Sequence, residues 1–203
     1  MNPLLQLIQA LMQGGIGQAV YDTVPHTETG KGLRPQSDEA LQALIAALKG
    51  GGPGATAVQS GLRAPGTIAV NQGDPGMMNP LRLLSSLLAN SRGMAEAGTT
   101  NKTSQGSEIN LNPTGAKALG ADIPSNILPH ELIHALRFNK GQDTGNPNIE
   151  ESLGRMGAGQ PLNSYLYRQF GSTSQAPMSL EDQQMLQRML FETLGSPEQT
   201  QPR

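Results

Sequence analysis

The sequence predicts an α+β fold in which helices dominate and a small mixed or antiparallel sheet lies beside them. Apolar residues recur at helical spacing in several separate segments, whereas strand-like runs are short and few. The 203 residues include 25 glycines and 15 prolines, so we expect a compact core in only part of the chain. The predicted organisation is a Gly/Pro-rich helical and linker segment over residues 1–60, the main domain over 61–195 and a polar tail over 196–203.

Periodicity and punctuation residues predict the elements of the first half. They are, in order, a helix over 3–13, a Gly/Thr/Pro-rich linker to about residue 36, a helix between Ser37 and Gly50–Pro53, a strand over 67–70 and a helix over 80–90. Ser37 is a favourable N-cap, because its hydroxyl can accept from a free backbone N–H of the first turn. The glycine run that follows ends the helix.

The second half is predicted in the same way. Its elements are a strand over 108–111, a helix that begins at the N-cap Asn126 and ends at Gly141, a short helix after the N-cap Asn148, and a helix between Ser179 and Gly195. Pro129 falls in the first turn of its helix, where a missing N–H removes no helical bond. Ser179 and Asp182 resemble a capping box.

Residues 130–134 read His-Glu-Leu-Ile-His, which is the pattern His-Glu-x-x-His. Residues four apart on a helix lie on one face, so His130 and His134 can bind one metal ion together. Glu131 then flanks the open coordination position, where a general base takes a proton from metal-bound water. Apolar neighbours indicate a packed helix rather than a solvated one. The pattern therefore predicts zinc peptidase chemistry, with one Zn²⁺ ion per chain.

A catalytic zinc ion needs a third protein ligand and keeps its fourth position for water. No histidine follows His134, and the first acidic residues downstream are Asp143, Glu150 and Glu151. A second helix starting near Asn148 would return a glutamate to the histidines, although paired glutamates at a helix start also simply stabilise that helix. Spacing alone leaves Glu151, Glu150 and Asp143 open as the third ligand.

Two segments together carry a family resemblance: His-Glu-Leu-Ile-His-Ala at 130–135 and Ile-Glu-Glu-Ser-Leu-Gly at 149–154. They resemble the core of the type III secreted effector metallopeptidases, the NleD group of enteric and plant pathogens, and more distantly the clostridial neurotoxin light chains. Residues 106–113 resemble the strand before the zinc helix, so the resemblance covers about residues 105–171. It implies a zincin-like fold and a His₂Glu site in which Glu151 binds zinc, whereas Glu150 lies next to the ligands without binding the ion.

The same relatives place an arginine and a tyrosine after the glutamate helix, where these stabilise the tetrahedral intermediate. In this chain Tyr165, Tyr167 and Arg168 lie within residues 162–171. A guanidinium or phenol group in a dry site can donate to a developing oxyanion. The resemblance therefore implies Arg168 and Tyr167 as catalytic donors, with Tyr165 as the other tyrosine candidate. The alternative is an ordinary half-buried strand or helix edge.

Composition and charge exclude several classes of protein. The net charge is −2 and basic residues are dispersed, so no nucleic-acid surface is predicted. The absence of cysteine excludes disulfides, thiol catalysis and cysteine-ligated zinc. No apolar run approaches the roughly 20 residues of a membrane span. The first basic residue is Lys31, so the chain lacks the positive start of a classical signal peptide.

These observations predict a zinc-dependent endopeptidase that acts on a protein or peptide substrate, with Glu131 as general base. We expect the substrate strand to pair along the edge of residues 108–111. The resemblance implies an effector that is translocated into a host cell and cleaves a host protein. Two alternatives are a virion- or delivery-associated structural protein that retains a zinc-peptidase module, and a non-catalytic binding module. A cytoplasmic location also stays open, as does the oligomeric state.

Overall fold

The computed structural model describes residues 31–73, 97–160 and 179–195. Its strands are β1 (Gly32–Pro35), β2 (Thr67–Gln72), β3 (Gly98–Thr103) and β4 (Gly106–Leu111). Its helices are α1 (Asp38–Gly50), α2 (Gly52–Leu62), α3 (Pro113–Ala118), α4 (Leu128–Lys140), α5 (Pro147–Gly157) and α6 (Leu180–Leu194). Helices dominate beside a small mixed sheet, so the predicted α+β class is confirmed. The predicted helices over 3–13 and 80–90 and the tail lie outside the described residues.

The strands form one sheet in the order β1-β2-β4-β3, with β1, β2 and β4 parallel and β3 antiparallel to β4. Alternate side chains of a pleated strand share a face, and one face is buried under helices through Leu33, Ile68, Val70, Ile109 and Leu111. Strand β4 is paired on both sides, by β2 and by β3. The prediction that a substrate pairs along residues 108–111 is therefore wrong, and the outer strands of the described sheet are β1 and β3.

Four elements differ from the sequence prediction, and one of them is α3, for which no helix was predicted. Strand β1 forms within the predicted linker and pairs with β2. The glycine run ends α1 as predicted, with Gly51 at a φ of 69°, but Pro53 then lies in the first turn of a further helix, α2. Strand β3 was not predicted, because Gly-Thr-Thr-Asn-Lys-Thr carries no apolar alternation. Its pairing with β4 supplies the strand.

Helix termini follow local capping chemistry, although two predicted caps are wrong. Asp122 caps a π-helical turn over Ile123–Ile127 that leads directly into α4, so Asn126 is not the cap. Asn146 caps α5 by accepting from the N–H of Asn148, two residues before the predicted cap. Ser37 caps α1, Ser179 caps α6, and Gly141 ends α4 in the left-handed conformation, all as predicted. Among the described residues, no helix has the length and apolar character needed to cross a membrane.

Helix α4 separates two apolar clusters. One side carries Leu132 and Leu136 into the main core formed with the sheet, α1 and α2. The other side presents Ile133, which packs with Leu153 of α5 and Leu186 of α6. Helix α5 approaches α4 closely because a glycine faces Ile133: a Cβ atom at Gly157 would lie 2.2 Å from Ile133 Cγ1.

Replacing Gly157 with alanine should reduce the free energy of unfolding by about 1–3 kcal/mol, because the added methyl group forces α5 away from α4. Gly50→Ala is the matched control. Gly50 also ends a helix, and a Cβ atom there meets nothing within 4 Å, so its effect should stay within roughly 1 kcal/mol of wild type. Denaturant unfolding followed by circular dichroism compares the two, and equal stabilities would contradict the close approach.

Candidate metal centre

Three side chains from two helices meet at one point. His130 and His134 lie one turn apart on α4, and Glu151 reaches them from α5. The two Nε2 atoms are 3.1 Å apart. Glu151 Oε2 lies 3.3 Å from the Nε2 atom of His130 and 3.8 Å from that of His134. These residues form a group that could hold a metal ion.

The three donor atoms have the spacing that a tetrahedral ion requires. Ligand atoms about 2.0–2.1 Å from a tetrahedral centre lie about 3.3–3.4 Å from one another. The three separations of 3.1, 3.3 and 3.8 Å bracket that value. Two imidazole nitrogens and one carboxylate oxygen are also a donor set suited to a divalent transition-metal ion. The residues present therefore fit a metal ion with three protein ligands.

Gly154 makes room for the first histidine. It lies three residues after Glu151 and so on the same side of α5. A Cβ atom at Gly154 would lie 2.8 Å from Cε1 and 2.9 Å from Nδ1 of His130. The imidazole of His130 therefore packs directly on the backbone of α5, and any larger side chain at this position would displace it.

The electrostatics of the group favour a positive charge between the three side chains. Burial lowers the pKa of His134, but the hydrogen bond to Glu151 and the charges of Glu131, Glu151 and Glu150 outweigh it, so the pKa is raised above 6.5. Burial also raises the pKa of Glu151, but its hydrogen bonds to His130 and His134 dominate and hold it well below its usual range. A divalent cation bound between these side chains would supply the positive charge that a proton on His134 otherwise supplies.

Glu150 points away from the histidines and forms a buried ion pair with Arg137 of α4. Arg137 Nε donates to Glu150 Oε2 at 2.7 Å and Nη2 donates to Oε1 at 3.1 Å. The N–H and hydroxyl of Thr144 also donate to Oε1, at 2.9 and 2.8 Å. Burial raises the pKa of Glu150, but these donors outweigh it and the pKa is lowered. The structure thus brings Glu151, and not Glu150, to the histidines.

The remaining donors of Arg137 bind two further segments. Nη1 donates to the hydroxyl of Thr193 in α6 at 3.1 Å, and Nη2 also donates to the carbonyl oxygen of Gln142. Only 1% of the surface of Arg137 is exposed. The guanidinium therefore joins α4, α5, the loop between them and α6, immediately behind the metal ligands.

Glu131 follows His130 in α4 and lies against strand β3. It is 7% exposed, and the hydroxyl of Thr100 in β3 lies 2.7 Å from its Oε2 atom. On the other side of the centre, Arg155 forms an ion pair of 3.6 Å with Glu151 Oε1. The carboxylates of Glu131 and Glu151 therefore each have a neighbour that restricts their position.

Asp143, the remaining candidate for the third ligand, is not part of this group. Asp143 is exposed, and its carboxylate accepts from the N–H of Gly145 in the same loop. Tyr165, Tyr167 and Arg168 lie outside the described residues.

Sequence reasoning missed the supporting residues Gly154, Arg137 and Thr100. Gly154 and Gly157 form a Gly-x-x-Gly pair inside a helix, and this spacing of small residues was a signal for close helix packing. The roles of Arg137 and Thr100 depend on long-range contacts that leave no local pattern.

No protein-family model, curated protein or solved structure matches this chain. The chemistry of the site therefore follows from its own atoms. Two imidazole nitrogens and a carboxylate oxygen can hold a metal ion, and a second carboxylate stands beside them.

We expect Glu151→Gln to abolish binding of Zn²⁺, used as the probe ion, because the charged ligand is lost. Glu150→Gln should leave binding intact but lower stability by up to about 3–5 kcal/mol, because Arg137 then stays buried without its partner. Elemental analysis of the folded fraction from gel filtration, with His134→Ala as a positive control for metal loss, decides between them. Loss of zinc in Glu150→Gln with retention in Glu151→Gln would contradict the assignment.

Proposed function

We propose that this protein is a zinc-dependent endopeptidase. The observation that carries the proposal is the spacing of His130 Nε2, His134 Nε2 and Glu151 Oε2 as three corners of a tetrahedron. Glu131, the next residue on the same helix, supplies a carboxylate that is not part of this triangle. A three-ligand site beside a carboxylate that does not bind the metal is the arrangement of hydrolytic zinc centres.

Zinc is the proposed ion, with one ion per chain held by His130, His134 and Glu151. Borderline-soft zinc accepts nitrogen and oxygen donors together and has no preferred geometry of its own, so a compact tetrahedral site suits it. When bound, zinc supplies a Lewis acid that acidifies water to a pKa of about 7 and polarises a carbonyl group. The resemblance to effector metallopeptidases and neurotoxin light chains supports the same choice.

Glu131 is the proposed general base. Its carboxylate accepts a proton from the attacking water and returns that proton to the leaving amine, so no net proton is gained or lost by the side chain. Glu131 is largely buried and follows His130 directly in the chain, and both observations support this role. His134 and Glu151 hold the site together and take no part in proton transfer.

The proposed substrate is an extended segment of a protein that pairs with β3. The described sheet has two outer strands, β1 and β3, and β3 is the one that contacts Glu131. Backbone pairing along an open sheet edge orients a peptide without requiring a particular sequence. Action on a host protein after translocation is supported by the sequence resemblance alone.

Glu131→Gln should retain zinc and fold but lose peptide cleavage by several orders of magnitude, because the amide cannot accept the water proton. The measurement is N-terminal profiling of candidate protein extracts with wild type and Glu131→Gln. It reports activity and cleavage sequence together.

The control for metal loss is His134→Ala, which should lose both zinc and cleavage. Cleavage that persists in a clean Glu131→Gln preparation would show that another residue is the base. A wild-type protein that binds zinc but releases no new N-termini would contradict the peptidase proposal.

A further inference from the structure

The first half of β3 lies directly against Glu131. The hydroxyl oxygen of Thr100 is 2.7 Å from Glu131 Oε2 and 3.1 Å from the backbone oxygen of Glu131. Two residues earlier, a Cβ atom at Gly98 would lie 2.8 Å from both Cγ and Oε1 of Glu131 and 2.8 Å from Ile127 Cγ2. The strand therefore approaches α4 as closely as a bare backbone allows.

A threonine hydroxyl has one hydrogen, so the two contacts with Glu131 compete for it. The carboxylate contact is shorter and charge-assisted, which makes it the stronger bond. The backbone oxygen of Glu131 also lies inside α4, where it can accept the helical N–H bond. Thr100 therefore donates to Oε2. No other described residue donates to the carboxylate, and a carboxylate with one bound donor keeps lone pairs for a water proton.

Gly98 and Thr100 act on the carboxylate from the same face of the strand. They are registered with Leu111 and Ile109 of β4, whose side chains are buried under α4. Gly98 lets the backbone of β3 approach Oε1 and Cγ of the side chain, while Thr100 binds Oε2. A glutamate side chain has three rotatable bonds, so contacts with both oxygens help to select one conformation.

We propose that Thr100 is a positioning residue, which orients the Glu131 carboxylate by a hydrogen bond to Oε2. The inference rests on the proposed role of Glu131 as general base. The contact also connects the base to the substrate, because β3, which holds Glu131, is the strand on which the peptide would pair. The distance between scissile bond and base is then set by a single strand.

The test compares wild type with Thr100→Val, Thr100→Ser and Thr56→Val. Valine keeps the shape and strand preference of threonine but lacks the hydroxyl, whereas serine retains it. Thr56 is an exposed residue of α2 whose hydroxyl donates to the carbonyl oxygen of Gly52 in the same helix, so Thr56→Val removes a hydroxyl outside the site and is the matched control. Each protein is measured for zinc content, thermal unfolding and cleavage of a quenched fluorescent peptide that contains a wild-type cleavage sequence.

We expect Thr100→Val to keep its zinc and its fold and to lose roughly 10–100-fold in kcat, the range for loss of an outer partner at a metal site. KM should stay unchanged, because the hydroxyl contacts the base and not the substrate. Thr100→Ser should recover most of the rate, and Thr56→Val should match wild type. Wild-type kcat in Thr100→Val, or an equal loss in Thr56→Val, would overturn the inference.

A crystal structure of Thr100→Val gives a readout that is independent of turnover. A displaced Glu131 carboxylate supports the positioning role, and an unchanged one overturns it. Failure of the proposed function is distinguishable, because the wild-type protein itself then cleaves no peptide. In that case the position of the Glu131 carboxylate in the variant still decides whether Thr100 holds it.

Discussion

The buried ion pair between Arg137 and Glu150 joins α4, α5, the loop between them and α6. Removing two charges from water is costly unless every donor and acceptor finds a partner. Here the carboxylate takes the guanidinium through both oxygens and also accepts from Thr144, while the guanidinium reaches Thr193 and a backbone oxygen. Because these partners belong to different segments, they are satisfied together only when α5 packs on α4 in one register.

That register decides which groups face the metal centre. Successive helical residues point about 100° apart, so anchoring Glu150 on Arg137 turns Glu151 toward the histidines. Gly154, one turn later, then lies under the imidazole of His130. The arrangement places carboxylates close together around His134, whose pKa is raised as a result. A bound cation or proton relieves their repulsion, whereas Arg137 neutralises the charge of Glu150 outside the centre.

The sheet forms the other side of the site, and its contacts differ in kind from the buried ion pair. Strand β3 contacts Glu131 by a hydroxyl group and a glycine backbone, and it is held in place by pairing with β4. The carboxylate of Glu151 is therefore positioned by helix packing and that of Glu131 by a strand. Both interfaces converge on α4, so the site is complete only when the two apolar clusters on either side of that helix have formed.

The sequence by itself determined what depends on local spacing. His130, Glu131 and His134 lie on one helix, so their relative positions follow from helix geometry, and the caps at Ser37, Gly141 and Ser179 depend on neighbouring residues only. The choice between Glu150 and Glu151 was decided by tertiary structure, because both lie on one short helix and only the contact with Arg137 selects the face. The formation of strand β3 was also decided by the tertiary structure. Its polar residues carry no signal, since a strand at the edge of a sheet is held by backbone hydrogen bonds to its neighbour, which are independent of side-chain identity.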